Sequence, residues 1–168
     1  MSDWLKLLAE LKQRNPTEYL TPTQKAVHDK LCNSLNFPEW INLYGKHGVG
    51  KTFVAWSVAR ATGGQHIPSP LSLENLKYSD STLFIDNAPY QESSLRKILA
   101  KCDLLGAKAV VFITRQPVSL PMKRIELYSP NQEDIEIVLR TFERLGYYRR
   151  QNNLSSHPTL WDVLQTCI

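Results

Sequence analysis

The sequence predicts an α/β fold on a mostly parallel sheet, and three observations predict it. From residue 40 onward, apolar runs of strand length alternate with stretches of helical periodicity. One run, Ala109-Val110-Val111-Phe112-Ile113, is apolar without a break, as a strand covered on both faces must be. A glycine-rich loop, Gly45-Lys46-His47-Gly48-Val49-Gly50-Lys51-Thr52, lies between a strand and a helix.

The elements follow in order. Residues 3–14 place Trp4, Leu7, Leu8 and Leu11 on one helical face, which packs on its own domain or reaches out to a partner. Asn15-Pro16 breaks that helix, and Thr21-Pro22 opens another over about 22–35, with proline in a helix-start position. Trp40–Tyr44 reads as a strand. A helix over 51–62 stops at Gly63-Gly64, an extended piece follows at Gln65–Ile67, and Pro68-Ser69-Pro70 leads into a helical turn at 71–77. Thr82–Asp86 is a strand, 91–104 a helix and 109–113 the buried strand. A weaker strand at Arg124–Leu127 precedes a helix over 131–145, and residues 146–156 are polar and irregular. A last helix over 158–166 carries Leu160, Trp161 and Leu164.

Composition bounds the function. The chain has 168 residues, of which 42% are hydrophobic, enough for a sizeable core. A net charge of +4 permits a polyanionic partner without requiring one. Cys32, Cys102 and Cys167 lack metal-ligand spacing, and an odd count without an export signal fits reduced thiols. No apolar stretch is long enough to span a bilayer. The expectation is a soluble, cytoplasmic protein.

The glycine-rich loop has the residues that phosphate binding needs. Its glycines let successive N–H groups turn toward an anion, and the helix that follows adds its dipole. Lys51 is expected to bridge the β- and γ-phosphates and Thr52 to ligate Mg²⁺. Gly45, Lys46, His47, Gly48, Val49, Gly50, Lys51, Thr52 and Phe53 are the candidate nucleotide contacts, with ATP or ADP as the ligand. Downstream, an apolar strand ends in Asp86, the second candidate Mg²⁺ ligand. Many hydrolytic P-loop proteins carry Glu at the next position, where this chain has Asn87. An amide holds water but cannot take its proton, so slow hydrolysis is expected. The strand at 109–113 runs into Thr114 and Arg115. If it lies between the other two strands, it brings Thr114 beside the γ-phosphate, with Arg115 directed at phosphate or capping the sheet.

With these motifs in order, the chain resembles the AAA+ family, in the group of the replication initiator DnaA, its regulator Hda and helicase loaders. LYGKHGVGKT, LFIDNAPY, VVFITRQP and IELYSPNQEDIEIVLRTFERLGY carry the resemblance over residues 20–146. It implies a three-layer P-loop NTPase with five strands in the order 5-1-4-3-2. It also implies an N-terminal arm at 1–20, a nucleotide-binding core at 21–128 and a small, truncated helical lid at 129–168. The chain departs from the family in having only Pro117–Lys123 where a helix and arginine finger are expected, and in its short lid. Arg124, Arg140, Arg144, Arg149 and Arg150 are the remaining arginine candidates. Gln116–Pro121 is loosely similar to sliding-clamp-binding peptides.

Three functions follow as expectations. The first is a nucleotide-gated adaptor with weak hydrolysis, serving a protein partner in DNA replication, recombination, transposition or mobile-element defence. The second is an ATPase that assembles head-to-tail in a nucleotide-dependent oligomer. The third is a small-molecule phosphotransferase. Lys97, Lys101 and Lys108, with Lys123 and Arg124, leave nonspecific DNA binding open.

Overall fold

A computed structural model describes residues 10–11, 16–37, 39–148 and 158–167. Five helices and five strands are labelled here: α1 (Pro22–Ser34), β1 (Trp40–Tyr44), α2 (Lys51–Thr62), β2 (Gln65–Ile67), β3 (Thr82–Ile85), α3 (Glu92–Leu105), β4 (Ala109–Thr114), β5 (Lys123–Glu126), α4 (Gln132–Arg144) and α5 (Leu160–Cys167). Short 3-10 turns at Pro16–Tyr19 and Pro70–Asn75 complete the set.

The strands form one sheet in the order β2-β3-β4-β1-β5, and every neighbouring pair is parallel. This is the expected 5-1-4-3-2 arrangement. β4 lies at the centre and is buried along its whole length. Its side chains alternate between two cores, as the two-residue period of a strand requires. Val111 and Ile113 meet Leu31, Val54 and Val58 of α1 and α2. Val110 and Phe112 meet Leu95, Leu99 and Cys102 of α3. The molecule is thus a three-layer α/β fold.

Local chemistry sets the helix ends. Thr21 caps α1 in a reciprocal box with Gln24, and Pro22 sits in the first turn. Asn131 and Asp134 make the same reciprocal arrangement at α4. The connection from β4 to β5 contains no helix across residues 115–122, although parallel crossovers usually use one. Val118 and Leu120 fill the missing volume, each 1% exposed. Those two side chains are therefore core residues, so Val118 and Leu120 of the clamp-peptide-like segment Gln116–Pro121 are not offered to a partner.

The expected helix over 3–14 falls mostly outside the described residues. Within them, Leu11 is buried in a third apolar cluster with Phe142 of α4 and Cys167 of α5. Among the described residues no helix is long and apolar enough to cross a membrane.

Candidate nucleotide site

β1 delivers the glycine-rich loop to the carboxyl edge of the sheet, and α2 begins at Lys51. Gly50 caps that helix with φ of 94°, a left-handed conformation that a Cβ makes costly. The next two strands along the sheet, β4 and then β3, bring the remaining candidates to the same edge. Asp86 follows β3, Thr114 ends β4 and Arg115 follows it. All of them line one cavity of about 820 Å³, together with His47, Gly48, Gly50, Lys51, Thr52, Phe53 and Asn87. The sequence thus points to the polar part of the lining. Apolar side chains line the same cavity, among them Leu11, Tyr19, Val138, Phe142 and Leu164, while Leu160 and Trp161 stand against the glycine-rich loop itself.

Thr52 Oγ1 donates to Asp86 Oδ2 at 2.5 Å, so the two candidate metal ligands already meet. Asn87 N–H donates to the other carboxylate oxygen at 2.8 Å. Burial pushes the Asp86 carboxyl up, but polar contacts from His66, Thr52 and the Asn87 N–H outweigh it and hold it below the usual carboxylate range. Hard oxygen donors of this kind suit Mg²⁺, which takes few protein ligands and completes its shell with phosphate and water. Among the described residues no three His, Cys, Asp or Glu side chains form a group that could hold a metal ion.

Lys51 is turned onto its own loop, donating to Gly45 O at 2.8 Å and Lys46 O at 2.7 Å. Burial pushes its ammonium down to about 8, with Asp86 opposing and Arg115 adding to the shift. Arg115 is exposed at the cavity. Thr114 is 4% exposed; its hydroxyl donates to Gln116 O at 2.6 Å and accepts from Asn42 Nδ2 at 2.8 Å. Asn87 has φ of 53°, and its side chain donates to Pro68 O at 3.1 Å, across the edge of the sheet.

The other arginine candidates lie elsewhere. Arg124 donates to Val118 O at 2.7 Å and braces the helix-free crossover. Arg140 faces Glu136 one turn away on α4, and both are exposed. Arg144 is exposed at the end of α4. Arg149 and Arg150 fall outside the described residues.

Four contributors carried no sequence signal. Gln24 of α1 reaches the loop: a Cβ on Gly50 would stand 2.2 Å from its Nε2. Asn42 is buried within β1 and ties Thr114 in place. His66 of β2 approaches Asp86. The start of α5 sits on the loop, with Trp161 N–H donating to Gly48 O at 3.1 Å. Only the Thr21–Gln24 cap spacing pointed near one of them, and it speaks of the helix end rather than the loop.

The fold has solved relatives. A DNA replication initiation factor matches with a TM-score of 0.56 and 14% identity, over 84% of this chain and 57% of that one. The replication initiator DnaA bound to AMPPCP and single-stranded DNA matches at 0.54 and 12%, over 84% and 58%. The E. coli MS115-1 HORMA:CdnC:Trip13 complex contributes a chain matching at 0.53 and 17%, over 90% and 75%. At these identities the likeness is one of fold alone. The chain spans a little over half the length of the two replication proteins. No family model and no curated protein matches the sequence.

Proposed function

We propose that the chain binds ATP and ADP with Mg²⁺ at the 45–52 loop and acts as a nucleotide-gated adaptor with weak hydrolysis. One observation carries the proposal: a single cavity joins the Lys51, Thr52 and Asp86 cluster to apolar side chains of α4 and α5. A ligand with both a polyphosphate and a purine ring fits a site lined by both kinds of side chain. Loop N–H groups and the α2 N-terminus would hold the phosphates. Lys51 would exchange Gly45 O and Lys46 O for β- and γ-phosphate oxygens. Thr52 and Asp86 would hold Mg²⁺, whose charge offsets that of the phosphates. Arg115, exposed beside Lys51, would add a γ-phosphate contact. Tyr19, Phe53 and Val138 would cover the base.

Weak hydrolysis follows from what surrounds the γ-phosphate end. Asn87 cannot accept a proton and directs its side chain to Pro68. The Thr114 hydroxyl proton is committed to Gln116 O. Gating follows because α4 and α5 line the cavity: a ligand that fits one seating of these helices better than another shifts their equilibrium by that difference in affinity. The surface so ordered would recruit a protein of the replication, recombination or transposition machinery, or of mobile-element defence. Fold relatives held with single-stranded DNA or within a multiprotein complex support a partner-binding role. Exposed Lys97 and Lys108 would add nonspecific DNA affinity.

The test is a titration with ATP, ADP and Mg²⁺, following thermal stability, turnover and mass, with Lys51→Ala as control. Stabilisation in wild type alone with negligible turnover supports the adaptor. Turnover that climbs with protein concentration replaces it with a head-to-tail ATPase in which exposed Arg115 serves a neighbouring site. No stabilisation by any nucleotide overturns the reading.

A further inference from the structure

His66 occupies a position that sheet packing alone does not account for. It is the middle residue of the short edge strand β2, paired in register with Phe84. Its Nε2 is a buried nitrogen with no hydrogen-bond partner, and it faces Asp86 Oδ2 at 3.5 Å. Asp86 Oδ2 is the same oxygen that receives the Thr52 hydroxyl. Trp56, one turn beyond Thr52 on α2, stands edge-on to the imidazole with ring centroids 5.6 Å apart and planes at 83°. The ring is thus held between an indole and a carboxylate. A hydroxyl oxygen and an imidazole nitrogen thus both approach one carboxylate oxygen.

Asp86 at 3.5 Å is the polar neighbour of this nitrogen, beyond good hydrogen-bond length, and a buried nitrogen so poorly satisfied points to an unrecorded ligand or a working role. A cation between Asp86 and His66 would satisfy both. The donor set also selects among cations. Carboxylate and hydroxyl oxygens suit Mg²⁺ or Mn²⁺, whereas neutral imidazole favours first-row transition metals over Mg²⁺.

We infer that His66 Nε2 is a third protein ligand to the divalent cation that accompanies the nucleotide, biasing the site toward a transition-metal ion over Mg²⁺. The inference rests on the nucleotide-binding reading above. It adds no reaction step; it names a ligand atom and a metal preference. The alternative role for the same ring is a donor that only orients Asp86, and it gives a different result below.

The experiment uses the full chain with a non-hydrolysable ATP analogue and either Mn²⁺ or Mg²⁺. Equilibrium binding gives the ratio of affinities for the two metal–nucleotide complexes, and pulsed EPR of the Mn²⁺ sample reports directly bound imidazole nitrogen. Wild type is expected to show the nitrogen coupling. His66→Gln is expected to lose it, and its Mn²⁺-over-Mg²⁺ ratio to fall by about tenfold or more. Comparing ratios cancels the intrinsic preference of the nucleotide for Mn²⁺. Tight binding of both complexes without nitrogen coupling in wild type overturns the ligand assignment and leaves nucleotide binding standing. Failure of wild type to bind either complex, with Lys51→Ala indistinguishable from it, overturns both. The wild-type spectrum decides even if His66→Gln folds poorly.

Discussion

Asn42 Nδ2 donates to Thr114 Oγ1 at 2.8 Å across the β1–β4 pair, while its Oδ1 accepts from Val118 N–H at 3.0 Å. One buried amide therefore fixes both the threonine at the strand end and the crossover that lacks a helix. Leucine is close to asparagine in size but can make neither bond. Asn42→Leu leaves the Val118 N–H unpaired in the core and removes a donor from Thr114 and from Phe112 O, 3.2 Å from the amide. The expected cost is about 2–4 kcal/mol. It is read as a lower urea midpoint at unchanged slope. A variant as stable as wild type would show that water or a rearranged loop replaces the amide.

Under the proposed function, Lys51 gives nucleotide binding a pH dependence of defined sign. Its ammonium is held down at about 8, below its ordinary 10.5. A polyphosphate favours the charged form, so the bound value lies above the free one. Affinity is then expected to fall as pH rises through about 8, with proton uptake on binding in that window. For folding of the ligand-free chain the sign is opposite. Between about 8 and 10.5 the unfolded chain holds more protons at this position, so its contribution to stability becomes more favourable as pH rises. Calorimetry in two buffers of different ionisation enthalpy counts the protons. In Lys51→Ala the residual affinity should be weak and flat across the same range.

The parts of the site legible in the sequence are those whose chemistry is local. Gly50 and Gly63 punctuate α2, and the helix runs from Lys51 to Thr62, the span the sequence predicts. The apolar run at 109–113 could only be a central strand. Asn42 was not legible, because an amide inside an apolar strand reads as a solvent-facing position until the third layer of the fold covers it. His66 was hidden for another reason. Its approach to Asp86 arises from sheet register and not from any fixed spacing in the chain. The contact of α5 with Gly48 spans more than a hundred residues and leaves no periodic trace.

Asp134 joins the first turns of two helices. It is fully buried and accepts from the Thr23 N–H at 3.0 Å, the Thr23 hydroxyl at 2.6 Å and the Asn131 N–H at 2.9 Å. Burial alone pushes its carboxyl up, yet these bonds hold it below the ordinary range. A depressed carboxyl stabilises the fold above its unfolded value and loses that contribution as pH falls through the folded one. Asp134→Asn is expected to cost about 1–3 kcal/mol at neutral pH. The gap from wild type should narrow on acidification. A gap that does not change with pH would mean that the carboxylate charge contributes nothing here.

Gly48 is where α5 bears on the glycine-rich loop. Its φ is 78°, and a Cβ there would stand 2.6 Å from Thr159 Oγ1 and 2.9 Å from Trp161 Cβ. Gly48→Ala therefore imposes two penalties, left-handed backbone strain and displacement of the α5 start. Gly63→Ala separates them, because its φ of 68° carries the strain while nothing lies within 4 Å of its Cβ. The control is expected to cost about 1 kcal/mol and Gly48→Ala roughly 1–2 kcal/mol more. Hydrogen exchange at residues 160–167 should accelerate in Gly48→Ala alone, since only that variant loosens the bond from Trp161 N–H to Gly48 O. Equal costs and equal exchange would mean that α5 yields without loss. The loop and the last helix would then be uncoupled, and gating through α5 would fail with them.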